Sequence, residues 1–330
     1  MRLATISPKQ RAILTRLAGA DEASFKEIGR ACRVSEQAVR RFASATLSAG
    51  WLRPFCFINH AALGLQTFNL LFSCPREKHA SVVRHLKQDP RVVWATENVG
   101  HPRYQVTAVS RTAAEITALF TDIARSCKTP ITSRYLSLEV SLEYWGSRML
   151  SSQPAAKRVS IAPQERITYD LLDLKILDAL RSSEEHSVAM IARALKEAQS
   201  TISYRLSRLR AREVVSPLLY RLSPQRAGGF SCEFLLTLAR VEGDIEEALL
   251  RFCDTTPGVA LLIRAFGMWD YKLVVEAESF DGLLDTRDLL ESALPEAFND
   301  VMLVIKQRVL TERCHFQRHS DLLRGMGAVD

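Results

Sequence analysis

Residues 171–215 read LLDLKILDALRSSEEHSVAMIARALKEAQSTISYRLSRLRAREVV, and residues 8–52 read PKQRAILTRLAGADEASFKEIGRACRVSEQAVRRFASATLSAGWL. Laid over one another at an offset of 163 residues, Ile13-Leu14 falls on Ile176-Leu177, Val39 on Ile202 and Leu52 on Val215, and Pro54 then falls on Pro217. Further along the offset becomes 167, pairing Pro90 with Pro257, Gly100 with Gly267 and Tyr104 with Tyr271. The chain is one unit of about 150 residues written twice.

Each copy begins with three short helices. Ser7-Pro8-Lys9-Gln10 supplies an N-cap, a proline at the first helical position and a glutamine at N3. Ser24-Phe25-Lys26-Glu27 is a second capping box, and Ser35 opens a third helix with Val39 and Ala43 on its buried face. In the second copy Leu172, Ile176, Leu177 and Leu180 line one helix, Ile191 and Leu195 the next, and Ile202, Leu206 and Leu209 the third. Short strand segments follow at Trp51–Ile58 and Val214–Leu222, which predicts a winged helix-turn-helix in each copy.

The periodicity then switches. Copy one predicts a strand at Phe68–Ser73, a helix at Lys78–Leu86, strands at Val92–Val99 and Tyr104–Val109, a helix at Ala113–Arg125 and a strand at Ile131–Val140. Copy two predicts the same order at Phe234–Ala239, Ile245–Phe252, Val259–Ala265, Tyr271–Ala277, Phe280–Leu290 and Val301–Val309. A βαββαβ order is ferredoxin-like, with helices on one sheet face and the other face free to pair. The expected chain is α+β, a tandem of winged helix-turn-helix (1–62, 169–228) and ferredoxin-like domains (63–145, 229–312), with a solvated linker at 146–168 and a tail at 313–330.

Composition narrows the function classes. At 330 residues, 47% hydrophobic and 25% charged, the chain is a globular protein and neither disordered nor fibrous. No apolar run reaches the ~18 residues of a membrane span, and no signal peptide opens the sequence, so a cytoplasmic protein without membrane contact is expected. Seven scattered cysteines with no Cys-x-x-Cys pair read as buried reduced thiols, and Cys314-His315 with His319 reads as a surface tail with no metal site. The net charge of +7 divides unevenly: 1–163 hold 23 basic and 11 acidic side chains, 164–330 hold 21 and 26. Residues 1–60 and 193–226 are each +6, whereas 230–300 are −10, so phosphate should meet the helix-turn-helix segments and avoid the second ferredoxin-like domain.

A winged helix-turn-helix followed by a βαββαβ domain resembles the Lrp/AsnC, or feast/famine, family of transcription regulators, here twice over. Its third-helix pattern is met by Ser35, Val39, Phe42, Ala43, Thr46 and Gly50, and in copy two by Ala198, Ile202, Arg205, Leu206, Leu209 and Glu213, which keeps the family's Arg but loses its serine and glycine. Gly267-Met268-Trp269-Asp270-Tyr271 is similar to the family's Gly-x-Tyr-Asp-Tyr turn, where small effectors, often amino acids, bind. The resemblance implies a regulator, not an enzyme, whose effector cleft involves Gly100, Tyr104, Gly267, Asp270 and Tyr271.

The outward face of the third helix supplies the expected contacts to double-stranded DNA. These are Ser35, Gln37, Arg40 and Arg41 in copy one, and Gln199, Ser200, Thr201, Ser203, Tyr204, Arg205 and Arg208 in copy two. The two sheets are expected to pair within one chain as a pseudo-dimer, open to further homo-oligomerisation. No cofactor is expected. The alternative belongs to another class: sirohaem decarboxylases pair or fuse two Lrp-like units, and His101-Pro102-Arg103-Tyr104 is similar to a stretch in their pocket. That resemblance implies a haem-type tetrapyrrole as substrate, His101 as proton donor or axial ligand, Arg103 as carboxylate grip, and Tyr104 beside them.

Overall fold

The chain starts folding where its capping residues predict. In a computed structural model describing residues 6–20, 24–151, 157–182, 187–240, 243–319 and 322–323, Ser7 and Gln10 cap one another at the start of α1 (Pro8–Leu17). Ser24 and Glu27 do the same for α2 (Phe25–Cys32), and the Ser35 hydroxyl accepts from the Ala38 N–H at the start of α3 (Glu36–Ser48). Ile13, Leu14, Leu17, Ile28 and Val39 meet in one core, each buried aliphatic side chain contributing roughly 1.5–3 kcal/mol. A single four-residue strand, β1 (Leu52–Phe55), ends the domain.

The ferredoxin-like domain follows as β2 (Gln66–Ser73), α4 (His79–Gln88), β3 (Val92–Val99), β4 (Tyr104–Ser110), α5 (Ala113–Cys127) and β5 (Thr132–Tyr144). A short strand, β6 (Val159–Ile161), leads to the second copy: α6 (Leu171–Ser182), α7 (Val188–Leu195), α8 (Gln199–Ala211), β7 (Leu219–Leu222) and a helical turn, α9 (Pro224–Ala227). Then come β8 (Phe230–Leu238), α10 (Ile245–Thr255), β9 (Val259–Gly267), β10 (Tyr271–Ala277), α11 (Phe280–Ala293) and β11 (Phe298–Thr311). The order matches the periodicity reading in both copies. The tandem α+β architecture expected from the repeat is the one observed.

The last strand of each copy outruns its expected length, and this decides the tertiary structure. β5 pairs with β2 through its first half (Thr67↔Glu139, Leu71↔Tyr135) and with β9 of the other copy through its second (Ser137↔Gly267, Tyr144↔Leu261). β11 likewise pairs first with β8 and then with β3 (Ile305↔Val99, Val309↔Thr96). Eight strands therefore close into a ring in the order β2-β4-β3-β11-β8-β10-β9-β5 and back to β2, with β6 laid on the end of β5. Closure removes the unpaired edges that either four-stranded sheet would expose.

Helices cover the outside of the ring. Phe72, Tyr104, Ile116, Leu119 and Ile123 pack beneath α4 and α5, and Leu249, Phe252, Leu283 and Leu290 pack between α10, α11 and the other half. The inward faces enclose a shared interior. Leu71, Leu235, Ala265, Trp269 and Val304 fill one part of it.

Three expectations are corrected. Each copy does not build its own wing from a pair of strands: β1 and β7 pair with each other, Leu52↔Leu222 to Phe55↔Leu219, because a four-residue strand has no local partner and the other copy supplies one. The linker at 146–168 is only partly solvated, and its residues 152–156 lie outside the described residues. Gly146 takes φ +88° with its Cα so close to the α1 terminus that a Cβ would lie 2.7 Å from the Ala18 carbonyl oxygen, and Met149 and Leu150 join the first helical core. The tail, of which 320–321 and 324–330 lie outside the described residues, is not a surface tail at its start. Cys314, Phe316 and Leu322 enter the core of the second helical domain, where both Asp178 carboxylate oxygens accept backbone N–H groups, from Phe316 at 2.6 Å and Gln317 at 3.1 Å. All seven cysteines are unpaired.

Candidate functional site

Strand alternation sets up the site. On β10, Leu273 and Val275 point into the helix-covered core, so Lys272, Val274 and Glu276 face the ring interior. The same period places Ser231 and Glu233 of β8, Glu139 and Ser141 of β5, and Lys306 of β11 on the interior side. At the end of the ring nearest the paired wings these side chains, with Arg53, Phe55 and Arg221 from β1 and β7, enclose a cavity of about 590 Å³. Its walls are largely apolar and aromatic: Phe55, Phe57, Trp94, Tyr144, Leu261 and Ile263. That size and lining suit an organic ligand with a few anchoring polar groups.

The charges in the lining are unequal. Seven Lys or Arg side chains (Arg53, Arg181, Arg221, Arg226, Lys272, Lys306, Arg308) face four Glu (Glu139, Glu233, Glu276, Glu312). Lys272 Nζ lies 2.6 Å from Glu139 Oε1 and Lys306 Nζ 2.9 Å from Glu233 Oε1. Arg221 donates to both Glu312 oxygens at 2.5 Å, and Arg308 is held by Glu97 at 2.6 Å. Gln105 completes the buried layer by donating to Asn69 Oδ1 at 3.0 Å and to Glu233. Among the described residues the guanidinium groups of Arg53 and Arg226 make neither an ion pair nor a hydrogen bond, although Arg53 lies near enough to Glu312 to lower its pKa, and both residues are exposed at the wing side of the cavity. The excess positive charge is therefore concentrated where a ligand would enter.

Among the described residues two polar atoms inside have no close hydrogen-bond partner, and the Ser147 hydroxyl lies beside both of their groups. Glu276 is buried and its Oε2 lacks a hydrogen-bond partner, as does the Tyr144 hydroxyl. Burial pushes the Glu276 carboxyl up to about 7, against the downward pull of Lys306, Arg221 and the Ser147 hydroxyl. Burial, reinforced by Glu276, also raises the Tyr144 phenol. His60 lines the same cavity, with Nδ1 2.9 Å from Thr67 Oγ1. Burial first, then Arg181 and His319, lower its pKa to about 3, so its imidazole is neutral.

The residues expected from sequence lie elsewhere. His101, Arg103 and Tyr104 do not line the cavity. Gln66 and Thr67 at the start of β2 do, whereas Ser73, which hydrogen-bonds His101 Nδ1 at 2.9 Å, ends the same strand roughly 20 Å away. His101 Nε2 is 2.5 Å from Ser133 Oγ. Arg103 donates to Glu97 Oε1 at 2.7 Å, and the fully buried Tyr104 hydroxyl meets His79 Nδ1 at 2.9 Å. These groups form a network around Glu97 that Arg308, a residue of the cavity lining, joins to the cavity.

Gly100, Gly267, Asp270 and Tyr271 are likewise outside the lining. The Asp270 carboxylate accepts from the Leu238 N–H at 2.8 Å and so ties off β8. Tyr271 is buried in the second ferredoxin-like core. Gly267 has φ +140°, and a Cβ there would lie 2.7 Å from the Leu136 carbonyl oxygen, across the β5–β9 seam.

On the helix-turn-helix domains, Gln37, Arg40 and Arg41 are exposed on α3, with Arg40 bonded to Glu36 at 2.8 Å, and Ser35 is spent as the cap. On α8, Gln199, Ser200, Ser203 and Tyr204 are exposed and Thr201 is half-buried. Arg205 reaches Asp170 at 2.5 Å and Asp173 at 3.2 Å, and Arg208 reaches Asp173 at 2.7 Å. Those two arginines hold α8 to α6. Among the described residues no group of three His, Cys, Asp or Glu could hold a metal ion, and no helix is long and apolar enough to cross a membrane.

The cavity charges escaped the sequence reading, although a signal existed. Lys272 and Glu276 lie four apart in Tyr271-Lys-Leu-Val-Val-Glu-Ala277, on one face of a strand that is apolar on the other. A charged face on a half-buried strand reads as solvent-facing unless the ring closure is known.

Residues 174–216 match the family described as bacterial regulatory protein, arsR family, a helix-turn-helix. No curated protein matches the sequence. Among solved structures, the siroheme decarboxylase NirDL is similar over 96% of this chain and 99% of its own, with 11% identity and a TM-score of 0.56; a second structure of it, in complex with an iron-uroporphyrin III analogue, gives the same values. An AsnC family transcriptional regulator from Agrobacterium tumefaciens is similar over 44% of this chain and 95% of its own, with 20% identity and a TM-score of 0.36. The expectation that the chain is not an enzyme is corrected by this likeness: a solved structure that shares its fold over nearly its whole length is that of a decarboxylase. The chain shares the fold of that decarboxylase, one unit written twice and closed on itself, and its residues 174–216 match a helix-turn-helix family.

Proposed function

We propose that the chain is an enzyme that holds a polycarboxylate tetrapyrrole in the cavity at the wing end of the ring and removes carboxylate from its side chains. The observation that carries this reading is the cavity itself: about 590 Å³, walled by aromatic and aliphatic groups and lined by seven cations against four carboxylates. Flat apolar walls suit a macrocycle, and guanidinium groups without internal partners suit its carboxylates. The fold shared with a siroheme decarboxylase supports the same class of substrate. It does so by analogy, since a fold alone does not decide chemistry.

Adding an iron-uroporphyrin III analogue is expected to shift its Soret band. Replacing Arg53 and Arg226 together by alanine should weaken that binding by about a hundredfold or more, at roughly 1.5–3 kcal/mol for each charge-assisted hydrogen bond removed. An unshifted spectrum with the tetrapyrrole in excess overturns the reading.

A second capacity, duplex DNA binding, is favoured by the helix-turn-helix match at residues 174–216 and by the exposed polar ends of α3 and α8. Because the two heads differ, the footprint should be asymmetric, with halves about one helical turn (~34 Å) apart. Arg40→Ala with Arg41→Ala should weaken DNA retention across all sequences and reduce the salt slope by about one for each phosphate no longer neutralised. Retention unchanged by the double substitution would remove α3 from the interface.

A further inference from the structure

Removing a carboxylate from an acetate side chain requires a proton at the carbon left behind, so the cavity must contain an acid that is protonated near neutral pH. Three of its four carboxyls are committed: Glu139 to Lys272, Glu233 to Lys306 and Glu312 to Arg221. The neutral His60 imidazole, with its low pKa, is a poor proton donor. Among the described residues Glu276 makes no ion pair; it is 5% exposed and lines the cavity, its Oε2 is without a close hydrogen-bond partner, and the Ser147 hydroxyl is its polar neighbour. A buried carboxyl with one oxygen unpartnered and no counter-ion bound to it is costly unless it carries a proton.

We propose that Glu276 is the catalytic acid of the cavity, delivering its proton from the side-chain carboxyl to the substrate carbon from which carbon dioxide departs. This rests on the decarboxylase reading. In the step, the bond between the methylene and the carboxylate breaks, the electron pair stays with the methylene carbon, the Glu276 proton bonds to that carbon, and a methyl group and carbon dioxide result. No oxidant or reductant is consumed. Glu276 is left as a carboxylate facing Lys306 of β11 and Arg221 of β7, with Tyr144 of β5 and Ser147 beside it, and solvent returns the proton. Burial raises its pKa to about 7, which leaves a substantial protonated fraction at neutral pH.

The test compares wild type with Glu276→Gln and Glu276→Asp, using the iron-uroporphyrin III analogue for binding and sirohaem for turnover. Glu276→Gln should bind the analogue as wild type does and lose about 10²–10⁴-fold in single-turnover rate. Glu276→Asp should retain part of the rate. The wild-type rate should fall as pH rises through about 7, and that limb should be missing from the residual rate of Glu276→Gln. In the ligand-free protein, an infrared carboxylic-acid stretch that disappears over the same range in wild type and is absent in Glu276→Gln would support the assignment without reference to activity. Full turnover by Glu276→Gln removes the catalytic role and leaves the decarboxylase reading standing. A wild-type chain that neither binds nor alters the tetrapyrrole removes both.

Discussion

Lys272→Met is expected to lower the unfolding free energy by about 3–5 kcal/mol, because it strands a carboxylate inside the ring. The Lys272 and Glu139 side chains are 4% and 11% exposed, and their ion pair, at 2.6 Å, joins β10 to β5 across the two copies. Burial draws the Lys272 ammonium down, but Glu139 and Glu233 outweigh it and hold its pKa above the ordinary value. Removing the ammonium leaves the buried Glu139 without its ion-pair partner, while Glu233 keeps Lys306. Adding Glu139→Leu to Lys272→Met should recover most of the loss, since a buried pair exchanged for apolar groups is often neutral. Urea denaturation of wild type, both single variants and the double variant measures this. A cost below about 1 kcal/mol for Lys272→Met would show that the interior is wet enough to solvate the carboxylate.

Glu276→Gln is expected to stabilise the fold at pH 8, with a gain that vanishes in acid. The carboxyl has a pKa of about 7 in the fold against 4.5 when unperturbed. Between those values the folded state binds more protons than the unfolded state, so stability declines as pH rises through the window. The full shift corresponds to about 3 kcal/mol, at ~1.4 kcal/mol per pH unit. Glutamine does not titrate and escapes this loss. The gap between variant and wild type should therefore open between pH 4.5 and 7, remain constant above it and close below. Glu97 and Glu312, whose neighbouring arginines hold their pKa values down despite burial, act in the opposite direction, stabilising at higher pH, but equally in both proteins. Thermal melts of the two proteins across this range give the difference directly. A gap that does not change with pH would mean that Glu276 titrates normally.

These variants probe a site that no linear motif announced. His101-Pro102-Arg103-Tyr104 looked like part of a tetrapyrrole pocket, but Ser73, Ser133, Glu97 and His79 engage its three polar side chains at the far end of β2. The Gly267–Tyr271 turn looked like an effector loop, and its carboxylate is used by β8. Four- and five-residue similarities carry residue types but not their partners. Apart from Glu97, six residues before Arg103, the partners in both turns come from residues 25 or more positions away.

Local order was legible because its causes are local. Ser7, Ser24 and Ser35 satisfy the first N–H groups of α1, α2 and α3 from within four residues, and the apolar spacing of Ile202, Leu206 and Leu209 is a property of one helix. The same holds for the βαββαβ order in each copy and for the duplication itself. Tertiary structure alone decided how the copies meet. The long β5 and β11 cross from one sheet to the other, close the ring and bring Glu139, Glu233, Glu276, Lys272 and Lys306 from four strands to one cavity. Strand pairing over more than a hundred residues depends on which edges remain unsatisfied after each sheet has formed. Nothing in a local window encodes that competition, so the sequence by itself determined the units and the closed ring determined the site.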